Sequence, residues 1–306
     1  MSTWTSPAAV WTVLVRRDGE SFLCPVRRQR SASSTPSSSR CDSPRTLGPV
    51  LSDADRRFFQ EHGWLIVRSA VAAERIARLE AALDALIPEA SYVTWGGRVV
   101  EVAGLSRGSP EFAGYSCDPE IARLAAAALG ARRVQLLQDT ALIKPVAVPA
   151  RVEWHQDYSY LAYLDRSAVV TVRVALTRCS LESGCMRVID ASHTWGFCGD
   201  NLAFRRDSVE DTLAVLPPEL RDRARFAEVP LELAPGDVSI HHCLTFHASE
   251  ENRGAHPRKT LAARIMDAAC CLVPSRLPSA ELAPYFPTDA NGHLTGPAFP
   301  ILWSDG

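Results

Sequence analysis

Lysine is nearly missing from this chain: it occurs only at positions 144 and 259, so arginine carries almost all of the positive charge. The imbalance reads as a compositional bias and not as a basic surface, because the net charge is -2. Without an excess of positive charge there is no bulk attraction to nucleic acid or to anionic lipid, and neither partner is expected. No apolar run approaches the roughly 20 residues that span a bilayer. The N-terminus lacks the apolar core and small-residue cleavage site of a secretory signal. The nine cysteines include no C-x-x-C pair, and Cys270 and Cys271 are adjacent. Scattered cysteine without a framework fits reduced thiols and a cytoplasmic location. No glycine-rich loop follows a strand-like run and opens a helix, so a Rossmann or P-loop site has no support.

What is present is an ordinary hydrophobic content, 46% of 306 residues, enough for one large domain. Residues 1–50 stand apart and are expected to form a disordered N-terminal extension. SASSTPSSSRCDSPR at 31–45 has little to bury and is expected to be disordered, whereas AVWTVLV at 9–15 is apolar enough to pair as a strand or lie loose. The domain is expected over 51–306. Ser52 with Asp55 forms an acidic variant of the capping box, opening a helix over 53–62 that stops at Gly63. WLIVRSAV then reads as a short buried strand, ERIARLEAALDALI (74–87) as a helix ending at Pro88, and 119–129 as a helix closed by Gly130.

From about 134 onward the pattern changes to strands: VQLLQDTALIKP, RVEWHQDYSY, AVVTVRVALT, CMRVID, VPLELA, DVSIHHCL and TLAARIMD, separated by turn residues. Helices first, then a long run of strands with no internal repeat, predict an α+β chain. Its core would be a double-stranded β-helix (jelly roll) with supporting N-terminal helices.

Three features of the strand region carry chemistry. In WHQDYSY, alternation puts His155 and Asp157 on one face of a strand, half of a metal site. A lone H-x-D is weak, since a surface histidine beside a solvated aspartate looks the same. GDVSIHHCLTFHAS (236–249) adds His241, His242 and His247, of which a two-histidine, one-carboxylate facial site needs one. His241 and His247 are six residues apart, roughly 20 Å on an unbroken strand. They are therefore not expected to share an ion. His242 faces the other way, and spacing alone leaves the register open. The polar SEENRGAHP followed by RKTLAARIMD reads as a hairpin turn and strand. That hairpin would set Arg258 about 5 Å from the His247 strand, with its guanidinium pointing into the barrel. Such a group is suited to clamp a carboxylate bidentately, which favours His247 as the ligand.

The combination resembles the phytanoyl-CoA dioxygenase family of iron(II)/2-oxoglutarate-dependent oxygenases. The likeness runs over roughly 51–270 and extends to LSDADRRFFQEHGWLIV, LLQDTALIKP and SLESGCMRVIDASHTWG. It implies that His155, Asp157 and His247 ligate Fe(II), that 2-oxoglutarate chelates the metal, and that O2 takes the last position. It further implies that Arg258, with Ser249 beside it, binds the far carboxylate of 2-oxoglutarate. Gln138 is expected either to contact 2-oxoglutarate or a ligand, or to hydrogen-bond within the barrel.

The implied reaction is hydroxylation of an unactivated C–H of a small organic substrate in bacterial secondary metabolism. Desaturation, cyclisation and epimerisation are the other outcomes of the same chemistry. A rival of another class is a non-redox, cupin-like metal-binding module, which has no use for Arg258. The chain has Ser183-Gly184 where the family often has Asn-Gly, and His247-Ala248-Ser249 where it often has His-Gly-Ser. Asp157 stands where halogenating relatives carry a small residue, so halogenation is not expected.

Lys144 reads as a strand-end surface charge, His193 as a structural residue, His242 as a non-ligand and His256 as solvated. Trp154, Tyr158, Tyr160, Tyr163 and Trp195 are either core or pocket aromatics. The oligomeric state is not readable.

Overall fold

The computed structural model describes residues 51–87, 99–149, 151–199 and 227–305, the backbone of 11–17 and 20–26, and positions 216 and 218. In chain order the strands are β1 (Trp11–Arg17), β2 (Glu20–Val26), β3 (Trp64–Val67), β4 (Val100–Ala103), β5 (Arg133–Lys144), β6 (Val152–His155), β7 (Val169–Ala175), β8 (Met186–Ile189), β9 (Glu228–Leu231), β10 (Val238–His242), β11 (His247–Ser249), β12 (Arg258–Asp267) and β13 (Ile301–Ser304). The helices are α1 (Asp53–His62), α2 (Ala73–Leu86), α3 (Pro110–Ser116) and α4 (Pro119–Leu129).

Local chemistry sets the first elements as the sequence suggests. The Ser52 hydroxyl accepts from the Asp55 amide while the Asp55 carboxylate accepts from the Ser52 amide, a reciprocal cap on α1. Gly63 ends the helix in the left-handed region at φ 76°, where a side chain would also collide with the His193 ring. β1 and β2 pair as an antiparallel hairpin at one edge of the larger sheet, and the serine-rich stretch 31–45 lies outside the described residues.

Two antiparallel sheets face each other. The larger has the order β2-β1-β4-β5-β12-β7-β10-β3, with β13 also on β5, and the smaller has the order β6-β11-β8-β9. The outer face of the larger sheet is apolar. Val170, Val172, Val174, Val238, Ile240, Leu261, Ala263 and Ile265 share one buried core with Ile76, Leu79 and Leu83 of α2 and Ile121, Leu124 and Ala125 of α4. The alternate residues point inward, and they are polar: Thr171, Arg173, Ser239, His241, Arg258 and Thr260 are all buried. Helices thus cover one face, and the other becomes a polar interior closed by the smaller sheet. This is the expected jelly roll.

The expected hairpin between His247 and Arg258 does not form. β11 pairs with β6 and β8, while β12 pairs with β5 and β7 in the other sheet. The segment between them is a corner that crosses from one wall to the other. Arg258 therefore reaches the smaller sheet from across the interior and not from the adjoining strand.

Candidate metal centre

His155 closes β6, and its Cα lies opposite that of His247 at the start of β11. Gln156 keeps extended backbone (φ -104°, ψ 132°), so the alternation persists through Asp157, which opens a 3-10 turn. The Gln156 side chain points the other way and anchors the turn, donating to the carbonyls of Gly196 and Leu244 and accepting from the Cys198 amide. As a result one ligand atom from each of His155, Asp157 and His247 lies within 4.8 Å of the others, and all three residues are buried.

The tautomers are set by the backbone. His155 Nδ1 is 2.8 Å from the Glu153 carbonyl and His247 Nδ1 is 2.9 Å from the Thr245 carbonyl. A carbonyl only accepts, so each Nδ1 carries the proton and each Nε2 keeps its lone pair. Those Nε2 atoms stand 3.9 and 3.8 Å from Asp157 Oδ1. Burial, and then the neighbouring rings of His155 and His241, hold His247 well below the ordinary histidine range. Two imidazole nitrogens and one carboxylate oxygen on one side of a point are the donor set of a facial metal site.

Asp157 is held by residues that sequence reasoning missed. Its Oδ2 accepts from the Thr171 hydroxyl at 2.8 Å and lies 3.3 Å from His241 Nε2, while its Oδ1 accepts from Arg264 Nη2 at 3.2 Å. Burial opposes its ionisation, but Arg264 and the His241 hydrogen bond outweigh burial and keep the carboxyl well below its usual range. The expected roughly 20 Å between His241 and His247 is wrong: their ring centroids are 4.6 Å apart. The strand breaks at a turn, with the Thr245 amide donating to the His242 carbonyl, and the chain passes to the other sheet. His242 faces away and lies beside His193.

Gln138 accepts from Arg264 Nη1 at 3.0 Å and so braces Asp157 at one remove. Tyr160 stands edge-on to His155 with centroids 6.0 Å apart, and it is the one of the five singled-out aromatics whose ring lies beside a triad imidazole in the described residues. Trp154 is buried with Phe246, and Trp195 packs on Phe246. The Tyr158 hydroxyl donates to the Leu164 carbonyl, and Tyr163 packs on Phe286. His193 is tied to the Gln60 carbonyl, and His256 is exposed.

Further along the same inner face lies a second charged region. Arg258 is buried and donates to the Gly184 carbonyl, and its Nε has no hydrogen-bond partner among the described residues. Gly184 has φ 67°, and a side chain there would run into the Glu250 carbonyl, so the Ser183-Gly184 turn needs this glycine. Lys144 is not a surface charge: it is fully buried and donates to the carbonyls of Ser249 and Glu250. Its position opposite Arg258 in the β5–β12 register turns it inward. Ser249 is buried in β11, two residues from His247. Thr140 Oγ1, Ser239 Oγ and His241 Nδ1, on the same inner face, also lack partners among the described residues. A buried face with this many unspent polar atoms is shaped for a polar ligand.

The family described as phytanoyl-CoA dioxygenase (PhyH) matches residues 59–260. Phytanoyl-CoA dioxygenase domain-containing protein 1 of Bos taurus is 28% identical over 144 residues, 47% of this chain and 49% of that protein, so the chain spans about half the length of this relative. Among solved structures, the non-heme alpha-ketoglutarate-dependent carbocyclase SnoK from nogalamycin biosynthesis superposes with a TM-score of 0.67 at 24% identity, over 85% of this chain and 99% of that one. The epimerase SnoN from the same biosynthesis gives 0.66 at 23% identity, over 82% and 98%. No helix among the described residues is long and apolar enough to cross a membrane.

Proposed function

The chain belongs to the phytanoyl-CoA dioxygenase family, and from that premise we propose that it is an iron(II)- and 2-oxoglutarate-dependent oxygenase that hydroxylates an unactivated C–H of a small organic substrate. His155, Asp157 and His247 are the proposed ligands. Their fit to iron(II) rests on the backbone-fixed tautomers, which aim both Nε2 lone pairs at the side of Asp157 Oδ1. With 2-oxoglutarate and O2, iron(II) in such a site supplies oxidative decarboxylation to succinate and carbon dioxide, coupled to two-electron oxidation of a substrate. The protein residues position and exclude. Thr171, His241 and Arg264 fix the carboxylate, Arg258 with Ser249 grips the far carboxylate of 2-oxoglutarate, and Tyr160 walls the open side. Gln138 acts through Arg264.

The observation that carries this reading over a metal-binding module is Arg258, a buried guanidinium in the same interior as the centre whose Nε has no partner among the described residues. An unpaired buried charge is costly, and a module that only binds metal has no reason to keep one. The names of the carbocyclase and epimerase neighbours support a second outcome from the same hydrogen removal, cyclisation or epimerisation, with desaturation the remaining variant. We propose a cytoplasmic enzyme of bacterial secondary metabolism; the scattered cysteines support the first and the biosynthetic setting named for SnoK and SnoN the second.

The test is succinate release with iron(II), ascorbate and 2-oxoglutarate across a panel of small metabolites, with products weighed by mass spectrometry. Gain of one oxygen is the expected result. Loss of two hydrogens identifies ring closure or desaturation, and an unchanged mass with inverted configuration identifies epimerisation. No 2-oxoglutarate-dependent succinate with any substrate, from protein that retains iron, overturns the oxygenase reading.

A further inference from the structure

Arg258 has a neighbour of the same kind. Arg173 projects from the inner face of β7, two residues beyond Thr171, and is buried. Its Nε donates to the Thr260 hydroxyl at 3.2 Å, and Thr260 lies two residues from Arg258 on the same face of β12. Its Nη1 points at the Met186 sulfur, 3.3 Å away. Met186 lies opposite Ser249 in the smaller sheet, and Gly184, two residues before it, gives its carbonyl to Arg258. Lys144 reaches the Ser249 carbonyl at 2.9 Å. Three adjacent strands, β5, β12 and β7, therefore aim Lys144, Arg258 and Arg173 at one short stretch of the opposite wall.

Among the described residues none of the three has a carboxylate partner. The Glu250 carboxylate is taken by Arg151 and Arg187, and Asp157 belongs to the metal centre. A thioether is a weak acceptor, so Arg173 has most of its five donors unspent. We propose that Arg173 is a second guanidinium of the 2-oxoglutarate pocket, gripping the far carboxylate together with Arg258. This rests on the oxygenase reading above.

The electrostatics agree with the geometry. Burial and then Arg173 push Arg258 down to about 9, and burial, Arg258 and Arg173 push Lys144 down to about 6. The lysine gives up its charge first and serves as a neutral donor to two carbonyls, which leaves the two guanidiniums facing the pocket. A buried like-charge pair without an anion is unstable until one arrives. Two forks from neighbouring strands can each offer paired N–H groups to one carboxylate.

The manganese(II)-loaded full-length chain provides the test without turnover. Calorimetry compares 2-oxoglutarate with 2-oxobutyrate, which keeps the chelating end and lacks the far carboxylate. Arg173→Gln, which retains a donor for Thr260, is expected to weaken 2-oxoglutarate by about tenfold to a hundredfold, the worth of a hydrogen bond to a charged group. It should leave 2-oxobutyrate unchanged and leave the melting temperature of the 2-oxoglutarate-free form unchanged or higher. Arg173→Lys should fall between. If Arg173→Gln keeps the wild-type preference for 2-oxoglutarate while Arg258→Gln loses it, the proposal is overturned. It is equally overturned if Arg173→Gln lowers the melting temperature and weakens both acids alike, because Arg173 is then a structural prop. Should Arg173→Gln not fold, an unaltered preference in Arg173→Lys overturns it. A wild-type chain that binds both acids equally well removes the far-carboxylate pocket itself, and with it the oxygenase reading.

Discussion

The two ends of the barrel interior are built on opposite principles. At the metal end the groups around the carboxylate are committed: both Nδ1 atoms are tied to carbonyls, and Asp157 is held by Thr171, His241 and Arg264. At the other end Arg173, Arg258 and Lys144 crowd together without an anion. The first end is preorganised, its ligands aimed by hydrogen bonds within the protein. The second stores unfavourable charge that an anionic ligand relieves. A cation is thus received by finished geometry and an anion by unfinished electrostatics, within one barrel interior.

Substitutions at the two ends should therefore separate cleanly, and the largest effect belongs to the finished end. Asp157→Ala removes the carboxylate among the three proposed ligands. It should abolish turnover and weaken iron binding beyond the roughly ten- to hundredfold typical of supporting residues. Unchanged iron content with wild-type turnover would remove Asp157 from the centre. Next is Arg258→Met, which keeps much of the stem and loses the fork. Truncating one partner of a buried charge-assisted pair costs about 2–5 kcal/mol, so KM for 2-oxoglutarate should rise by about thirtyfold to several thousandfold. Iron content should not change. A loss of iron instead would mean that the two ends are not independent.

Arg264→Met should do the reverse at smaller cost. Iron affinity should drop about tenfold, as for an outer partner of a ligand, and the preference for 2-oxoglutarate over 2-oxobutyrate should persist. If that preference vanishes while iron holds, the arginines have been given each other's roles.

The smallest effect is a pH slope. The Lys144 amine sits at about 6 in the folded chain, first from burial and then from Arg258 and Arg173, with Glu250 opposing. In the unfolded chain it returns to about 10.4. Between those values the unfolded state binds more protons, so the ligand-free protein should lose stability as pH falls through that window. Lys144→Met should flatten the melting temperature across it, and a slope that survives the substitution assigns the proton elsewhere.

Legibility from sequence followed the range of the interactions. Ser52, Asp55 and Gly63 announce α1 because a cap acts over three or four residues. His155 and Asp157 were readable as one face because alternation is local and Gln156 stays extended. His241 was misplaced because the turn after His242 moves the chain to another sheet, and no spacing rule registers a change of wall. Arg258 reads as an inward cation, but a hairpin does not put it there, since the corner between β11 and β12 looks like a turn in sequence. Lys144 reads as a surface charge because lysine is seldom buried, and its register opposite Arg258 is not visible in sequence. One signal was overlooked. In VVTVRVA, Thr171 and Arg173 interrupt a valine run at alternate positions, the pattern of a strand with one oily face and one chemical face.

The division between ligands on one wall and braces on the other has a mechanical side. Both imidazoles ride on the smaller sheet, on β6 and β11, while the residues that brace Asp157 ride on β7, β10 and β12 of the larger one. A metal ion bound by all three would tie these smaller-sheet segments to one another, and the bonds to Asp157 would carry that tie to the larger sheet, as a rivet stiffens a joint between two plates. Without it, those bonds would still join the plates, but β6 and β11 would lose the added tie between their imidazoles. Amide protons of β6 and β11 should then exchange faster with solvent in the metal-free chain, while those of β7 and β12, clamped between other strands and backed by helices, keep their pace.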